Sequence, residues 1–274
     1  MHYDPIKQFL GHIFNRHPLS RRLFYRLLDI LLLRTWHVHR ALKAFRKANA
    51  HNNDISVLDA GSGLGQYTWH ITRKAPGWQV KAIDIKEEEI ASCRDFFQKE
   101  KKRNVTFAVE DLVHYVRPGT YNLILSVDVM EHIEEDEQVF ANFHKSMKPG
   151  GLLLISTPSD QGGSDVQEDG DASFIEEHVR DGYPADEIRE KLLKAGFGQV
   201  DIKYTYGTPG SIAWRLSMKY PLLLLGRTKA FLIILPFYYL VIMPPVLLLN
   251  LLDLNIKHRK GTGLLVQARK NPNS

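Results

Sequence analysis

The chain has 274 residues, 44% hydrophobic and 24% charged, enough for one large α/β domain with an appendage and unlike disordered, collagenous or disulfide-stapled chains. The single cysteine, Cys93, excludes an internal disulfide and a thiolate metal site; no metal is expected, and with no secretory signal pattern a reducing, cytoplasmic setting is. The net charge of +5 is uneven: residues 1–50 carry +8, residues 51–207 carry −11 and residues 208–274 carry +8, so the basic ends are the parts expected to meet an anionic surface.

In chain order, residues 1–50 come first as a basic amphipathic helical segment. Leu23, Leu27, Ile30, Leu31, Trp36 and Val38 are interleaved with Arg21, Arg22, Arg26, Arg34, Arg40 and Lys43, a pattern that suits a lipid headgroup layer. Nucleic acid would explain the arginines but not the aliphatic residues beside them, so no nucleic-acid partner is expected.

From Ile55 to Ser159 short β-rich runs alternate with helical patterns. Strands are predicted at 55–58, 78–83, 105–109, 121–127 and 152–156, with helices at 66–74, 87–99 and 134–147 between them. A further helix at 184–195 and a strand at 199–206 follow. This rhythm predicts a Rossmann-like, doubly wound sheet whose ligand crevice lies at the carboxyl ends of the strands.

The first strand runs into Asp59-Ala60-Gly61-Ser62-Gly63-Leu64-Gly65, where glycines let the backbone turn sharply and approach a ligand. The spacing departs from the dinucleotide fingerprint, because Gln66 stands where its third glycine or alanine would be. A carboxylate at Asp59 would repel a pyrophosphate, so a cationic or neutral nucleoside suits the turn better. Asp84 ends the second strand, where an acid accepts from both ribose hydroxyls; its competing role is an N-cap for the next helix. Glu110-Asp111 closes the third strand, as an acceptor for an adenine amino group or as a solvated turn.

These residues, with Val129-Met130-Glu131-His132-Ile133 and Lys148-Pro149-Gly150-Gly151 in the same order, resemble the class I S-adenosylmethionine-dependent methyltransferases. The likeness is greatest to the small-molecule branch that includes the quinone-biosynthesis O-methyltransferases. It implies a seven-stranded sheet with the last strand antiparallel, spanning residues 51–207 and 262–270. It implies S-adenosylmethionine as cofactor and S-adenosylhomocysteine as product. Gly61, Ser62, Gly63 and Gly65 would cradle the cofactor, with Asp59 near its ammonium group and Asp84 with Ile85 at its ribose. Glu110, Asp111 and Leu112 would flank the adenine, Asp128 and Glu131 would line the cleft, and His132 would stand beside the acceptor.

Transfer to a hydroxyl needs alignment and removal of a proton, and histidine as a residue type titrates near neutrality. His132 and His178 are the two candidates for the base, the latter following an acidic, glycine-rich stretch at 159–172 that suits a lid. Each has a competing structural role, as a helix-terminal packing residue and an exposed cap respectively.

Residues 208–261 depart from the family pattern. Residues 230–252 include no charge and would reach about 35 Å as a helix. Both flanking strands belong to one sheet, Tyr220 to Leu225 is too short for a second span, and Pro236, Pro244 and Pro245 are expected to break a straight helix. The expectation is a re-entrant or interfacial helical hairpin dipping into one leaflet of an anionic membrane. Arg215, Lys219, Arg227 and Lys229 flank it before, and Lys257, Arg259 and Lys260 after. A buried cap or a homodimer interface is the alternative use of these residues. The chain is thus expected to methylate an oxygen of an amphiphilic acceptor such as a quinone precursor, an aryl-polyene or a lipid-like molecule. Carbon methylation of a quinone ring and a catalytically silent membrane scaffold are the competing expectations.

Overall fold

A computed structural model describes residues 17–52, 54–162, 179–228 and 231–273. Seven strands form one sheet: β1 (Ser56–Ala60), β2 (Gln79–Asp84), β3 (Val105–Val109), β4 (Tyr121–Val127), β5 (Met147–Pro158), β6 (Gln199–Thr205) and β7 (Gly263–Arg269). Their order is β3-β2-β1-β4-β5-β7-β6, with β7 antiparallel to both neighbours and the other pairings parallel. The order reverses between β1 and β4, which opens a crevice at their carboxyl ends.

The central strands are nearly continuous apolar runs because both of their faces are covered. On one face Leu58, Ile124, Leu153 and Val266 pack against α5 (Asp136–Ser146) and α6 (Ala185–Lys194) through Phe140, Phe143, Ile188 and Leu192. On the other, Val57, Leu123 and Leu154 pack against α2 (Leu33–Ala48) and α3 (Gln66–Lys74) through Val38, Leu42, Phe45 and Ile71. A third cluster joins α1 (Pro18–Leu31) to α4 (Glu87–Lys99) through Tyr25, Ile90, Phe96 and Phe97.

Residues 17–48 therefore differ from a helix lying wholly in headgroups. They form two helices, and α2 supplies core residues to the sheet. Arg21 is 2% exposed and Val38 is fully buried, because the inner faces of both helices close over the domain. Only the outer face of α1, with Leu19, Leu23, Leu27 and Ile30, remains apolar and open.

The insertion is a helical hairpin. Its first arm comprises α7 (Thr208–Trp214), a π-helical turn (Arg215–Lys219) and α8 (Tyr220–Arg227), so it is far longer than the apolar piece at 220–225. Its second arm, α9 (Phe231–Asn255), runs unbroken for 25 residues through Pro236, Pro244 and Pro245. Each proline frees the carbonyl four residues earlier, at Leu232, Leu240 and Val241, and all three lie on exposed positions where nothing packs over the distortion. The Tyr238 and Tyr239 hydroxyls donate to the carbonyls of Leu216 and Ser217 at 2.7 and 2.8 Å and tie the arms together at the π turn.

The base of the hairpin converges on buried Asp253. One carboxylate oxygen pairs with the His37 ring at 3.0 Å; the other accepts the Gly210 N–H at 3.1 Å and lies 3.0 Å from His258 Nε2, which is hydrogen-bonded to the Asp253 backbone carbonyl at 3.1 Å. A Cβ at Gly210 would stand 2.5 Å from Leu33 Cδ2, so glycine is what lets the first arm approach α2. Arg40 donates to the Leu254 carbonyl at 2.6 Å and caps the end of α9. Asp253→Ala is expected to cost about 3 kcal/mol of folding stability by stripping a buried cluster of its acceptor, with faster proteolytic cleavage at the hairpin base. Unchanged thermal unfolding and cleavage would contradict this role.

Candidate active site

The turn after β1 is built on left-handed backbone at Gly61, Gly63 and Gly65, with φ of +78°, +48° and +79°. The N–H groups of Gly61 and Ser62 both donate to the Ile83 carbonyl at 2.9 Å and bind the turn to β2. A Cβ at Gly61 would stand 2.3 Å from Val129 Cγ2, so the turn and the end of β4 meet without room for a side chain. Gly65 caps α3, whose first turn thereby faces the crevice.

Asp84 braces the turn from the side. One carboxylate oxygen accepts the Gly63 N–H at 2.8 Å and the other accepts the Lys86 N–H at 3.0 Å. The N-cap position of α4 is Lys86, so Asp84 precedes the helix instead of capping it. Beside it Ile85 is 67% exposed, an apolar platform at the mouth of the crevice. The Glu110 N–H donates to the Asp84 carbonyl at 3.1 Å and brings the ends of β2 and β3 together. Asp111 accepts the Val113 N–H at 2.9 Å, while Leu112 is buried beneath.

Asp59 is 2% exposed at the end of β1 and accepts from the Thr68 hydroxyl at 2.5 Å. Burial pushes its carboxyl up to about 6; Thr68 opposes the rise and the Asp84 charge adds to it. The Ser62 hydroxyl is buried in the turn with no hydrogen-bond partner among the described residues. An orphaned hydroxyl, a desolvated carboxylate and an exposed isoleucine around one glycine cradle suit a ligand with cationic, polar and aromatic parts.

At the end of β4, Asp128 adopts φ +53°, and its carboxylate lies 2.6 Å from Arg34 Nη1. Burial works against the Arg34 charge, but Asp128, Tyr67 and Tyr206 outweigh it and hold the guanidinium firmly protonated. Glu131 lies beneath the cleft at 1% exposure and accepts from the Thr157 hydroxyl at 3.0 Å. Burial and the adjacent Asp128 push its carboxyl up to about 8. Its backbone carbonyl accepts the Val179 N–H at 3.1 Å. His132 ends the 3-10 turn Met130–His132 and is exposed.

Asp59, Gly61, Ser62, Gly63, Gly65, Asp84, Ile85, Glu110, Asp111, Leu112, Asp128, Glu131 and His132 thus meet along one edge of the sheet, Glu131 in its floor. His178 and most of the expected lid lie outside the described residues. Two arginines expected to face lipid belong to this site instead. Arg21 donates to the Leu64 carbonyl in the glycine turn at 2.8 Å and to the Ser92 hydroxyl at 2.7 Å; Tyr25 donates to the same Leu64 carbonyl at 2.5 Å. Arg34 pairs with Asp128, and its N–H donates to the Tyr206 hydroxyl at 3.0 Å. The one sequence signal for the first contact is the Arg21–Tyr25 spacing, which puts both on one helix face.

Asp29, His39 and His70 bring ligand-type atoms within 4.8 Å of one another behind the turn. Burial first, and nearby Arg73 and Lys74, hold both imidazoles neutral, His39 down at about 4 and His70 at about 3. The same cations oppose a metal ion there.

The family described as methyltransferase domain matches residues 34–201, and the chain belongs to it. Within it the chain is a class I S-adenosylmethionine-dependent methyltransferase, and the cradle fits that cofactor. It is similar to malonyl-[acyl-carrier protein] O-methyltransferase 2 of Ilyobacter polytropus, with 31% identity over 38% of this chain and 39% of that protein. It is also similar to the ubiquinone biosynthesis O-methyltransferase of Rickettsia bellii, with 29% identity over 40% of this chain and 46% of that protein. The chain thus matches less than half the length of these relatives. A structure of Haemonchus contortus phosphoethanolamine N-methyltransferase 2 with S-adenosyl-L-methionine shares the fold, at a TM-score of 0.60 and 18% identity over 98% of this chain and 61% of that one.

Gly61→Ala is expected to weaken S-adenosylhomocysteine binding at least tenfold by calorimetry, because it adds a clash to an unfavourable φ. Val129→Ala in the same chain should restore part of the loss; no recovery would disprove the close approach as the cause. Cofactor affinity should rise as pH climbs towards about 6 and level off above it, since a cationic amine favours the ionised Asp59 carboxylate, which is half protonated near that pH in the ligand-free protein. Asp59→Asn should remove this step, and a persistent step would assign it elsewhere.

Proposed function

We propose that the chain methylates an oxygen of an amphiphilic or lipid-embedded small molecule at a membrane surface. The observation that carries this reading is the hairpin. It leaves the sheet after β6 and returns before β7, and Thr205, Gly263 and Pro158 pair at the same carboxyl edge that holds the cofactor turn. Its second arm presents apolar side chains all round, with Ile233 77% and Leu240 76% exposed, and measures about 37 Å at about 1.5 Å per residue. Such a helix belongs in hydrocarbon, where its surface is not hydrated. Tyr220–Gly226 adds only about 10 Å of apolar rise to the first arm, which suits immersion in one leaflet with Lys219 and Arg227 reaching headgroups. The open apolar face of α1 supplies a second, weaker contact, and two anchors acting together hold more firmly than either.

The cofactor, when bound, supplies a methyl group activated on a sulfonium. The chain's own residues orient and deprotonate. Arg34 and Asp128 shape the acceptor side of the cleft, and exposed His132 takes the hydroxyl proton. The O-methyltransferase relatives support oxygen as the receiving atom.

Purified protein with methyl-labelled cofactor and a total lipid extract of its source should yield a labelled amphiphile, and label only in water-soluble products would overturn the reading. His132→Ala should lower that turnover about a hundredfold at neutral pH. In sedimentation with anionic vesicles, Ile233→Glu with Leu240→Glu should cut the bound fraction at least tenfold; unchanged sedimentation would refute the hairpin as the anchor.

A further inference from the structure

An open cavity of about 540 Å³ lies where the hairpin joins the sheet, within the usual range of small-molecule sites. Its lining includes Tyr206 after β6, Ser211, Ile212 and Arg215 on the first arm, and Lys260 and Thr262 before β7. Arg215 and Lys260 come from opposite sides of the hairpin base, and among the described residues none that lines the cavity is acidic. The opening is bordered by Ile212, which is exposed and begins the apolar surface of the hairpin.

Tyr206 joins the cavity to the reaction site. Its backbone is held left-handed at φ +54°, and its carbonyl accepts from the Ser211 hydroxyl at 3.0 Å. Its phenol oxygen accepts from the N–H of Arg34, the residue paired with Asp128 at the end of β4. One side chain therefore separates a basic cavity at the foot of an apolar hairpin from the acceptor end of the cleft.

We propose that this cavity binds an anionic group, phosphate or carboxylate, carried by the acceptor at a point remote from the oxygen that is methylated. The inference rests on the membrane reading above and narrows it to anionic amphiphiles. Arg215 and Lys260 hold the anion by charge-assisted hydrogen bonds, and Ile212 passes the tail to the hairpin. Anchoring a remote group in this way orients the reacting oxygen without taking part in the chemistry.

The probes are dodecyl phosphate, below the concentration at which it forms micelles, and inorganic phosphate, titrated by calorimetry into the full chain and into an Arg215→Gln, Lys260→Gln variant. Dodecyl phosphate should bind wild type at least tenfold more tightly than inorganic phosphate, and the variant should lose at least tenfold of that affinity. Retained heat with S-adenosylhomocysteine reports an intact fold, and Lys260→Gln alone, on an exposed loop, gives the same comparison if the double variant does not fold. Equal affinity of the two probes would make this a free-anion site and overturn the amphiphile. Equal binding of dodecyl phosphate by wild type and variant would overturn the cavity while vesicle sedimentation of wild type still upheld the membrane reading. Loss of that sedimentation in wild type itself would instead sink the membrane reading.

Discussion

The contact between Gly61 and Val129 governs the architecture around the site. With no Cβ at position 61 the β1 turn lies directly against the end of β4, and a side chain there would meet Val129 at 2.3 Å. Closing these two strands at their carboxyl ends sets the floor of the crevice, which aligns the N–H groups of the turn, Asp84 and Asp128 around one ligand volume. Helices on both faces hold the sheet; this single close approach decides that its reversal point is a cradle and not a gap.

The N-terminal helices add a second layer to that cradle. Arg21 and Tyr25 converge on one carbonyl of the glycine turn, and Arg34 reaches across to Asp128, so α1 and α2 grip the glycine turn and the end of β4 respectively. A buried guanidinium is tolerated because it is spent on backbone and hydroxyl acceptors. On the same α1, the face turned outward carries Leu19, Leu23, Leu27 and Ile30. One helix therefore touches the cofactor turn with one side and leaves an apolar stripe on the other.

The hairpin is joined to this assembly through Asp253. That carboxylate binds the first arm at Gly210, the return segment at His258 and α2 at His37, three residues beyond Arg34. α2 is thus the element common to the hairpin base and the end of β4. The basic cavity lies between those two attachments, where Tyr206 touches α2.

Much of the fold, and the gathering of the candidate residues at one edge of the sheet, was legible in the sequence. Strand and helix periods placed the βαβ core to within a few residues, and glycine spacing with acids at strand ends picked out the carboxyl edge where the turn and the acids meet, because backbone freedom and carboxylate position are local properties of the chain. The apolar charge-free run announced the hairpin for the same reason. Other features depended on contacts between residues far apart in sequence. That Arg21 and Arg34 turn inward, that α2 is core, that α9 passes unbroken through three prolines, and that Asp253 ties four segments together are all set by which faces meet. Charge and hydropathy along one helix are blind to what packs against it: an arginine beside leucines reads as lipid-facing until a carbonyl from a turn 43 residues later arrives to accept its N–H.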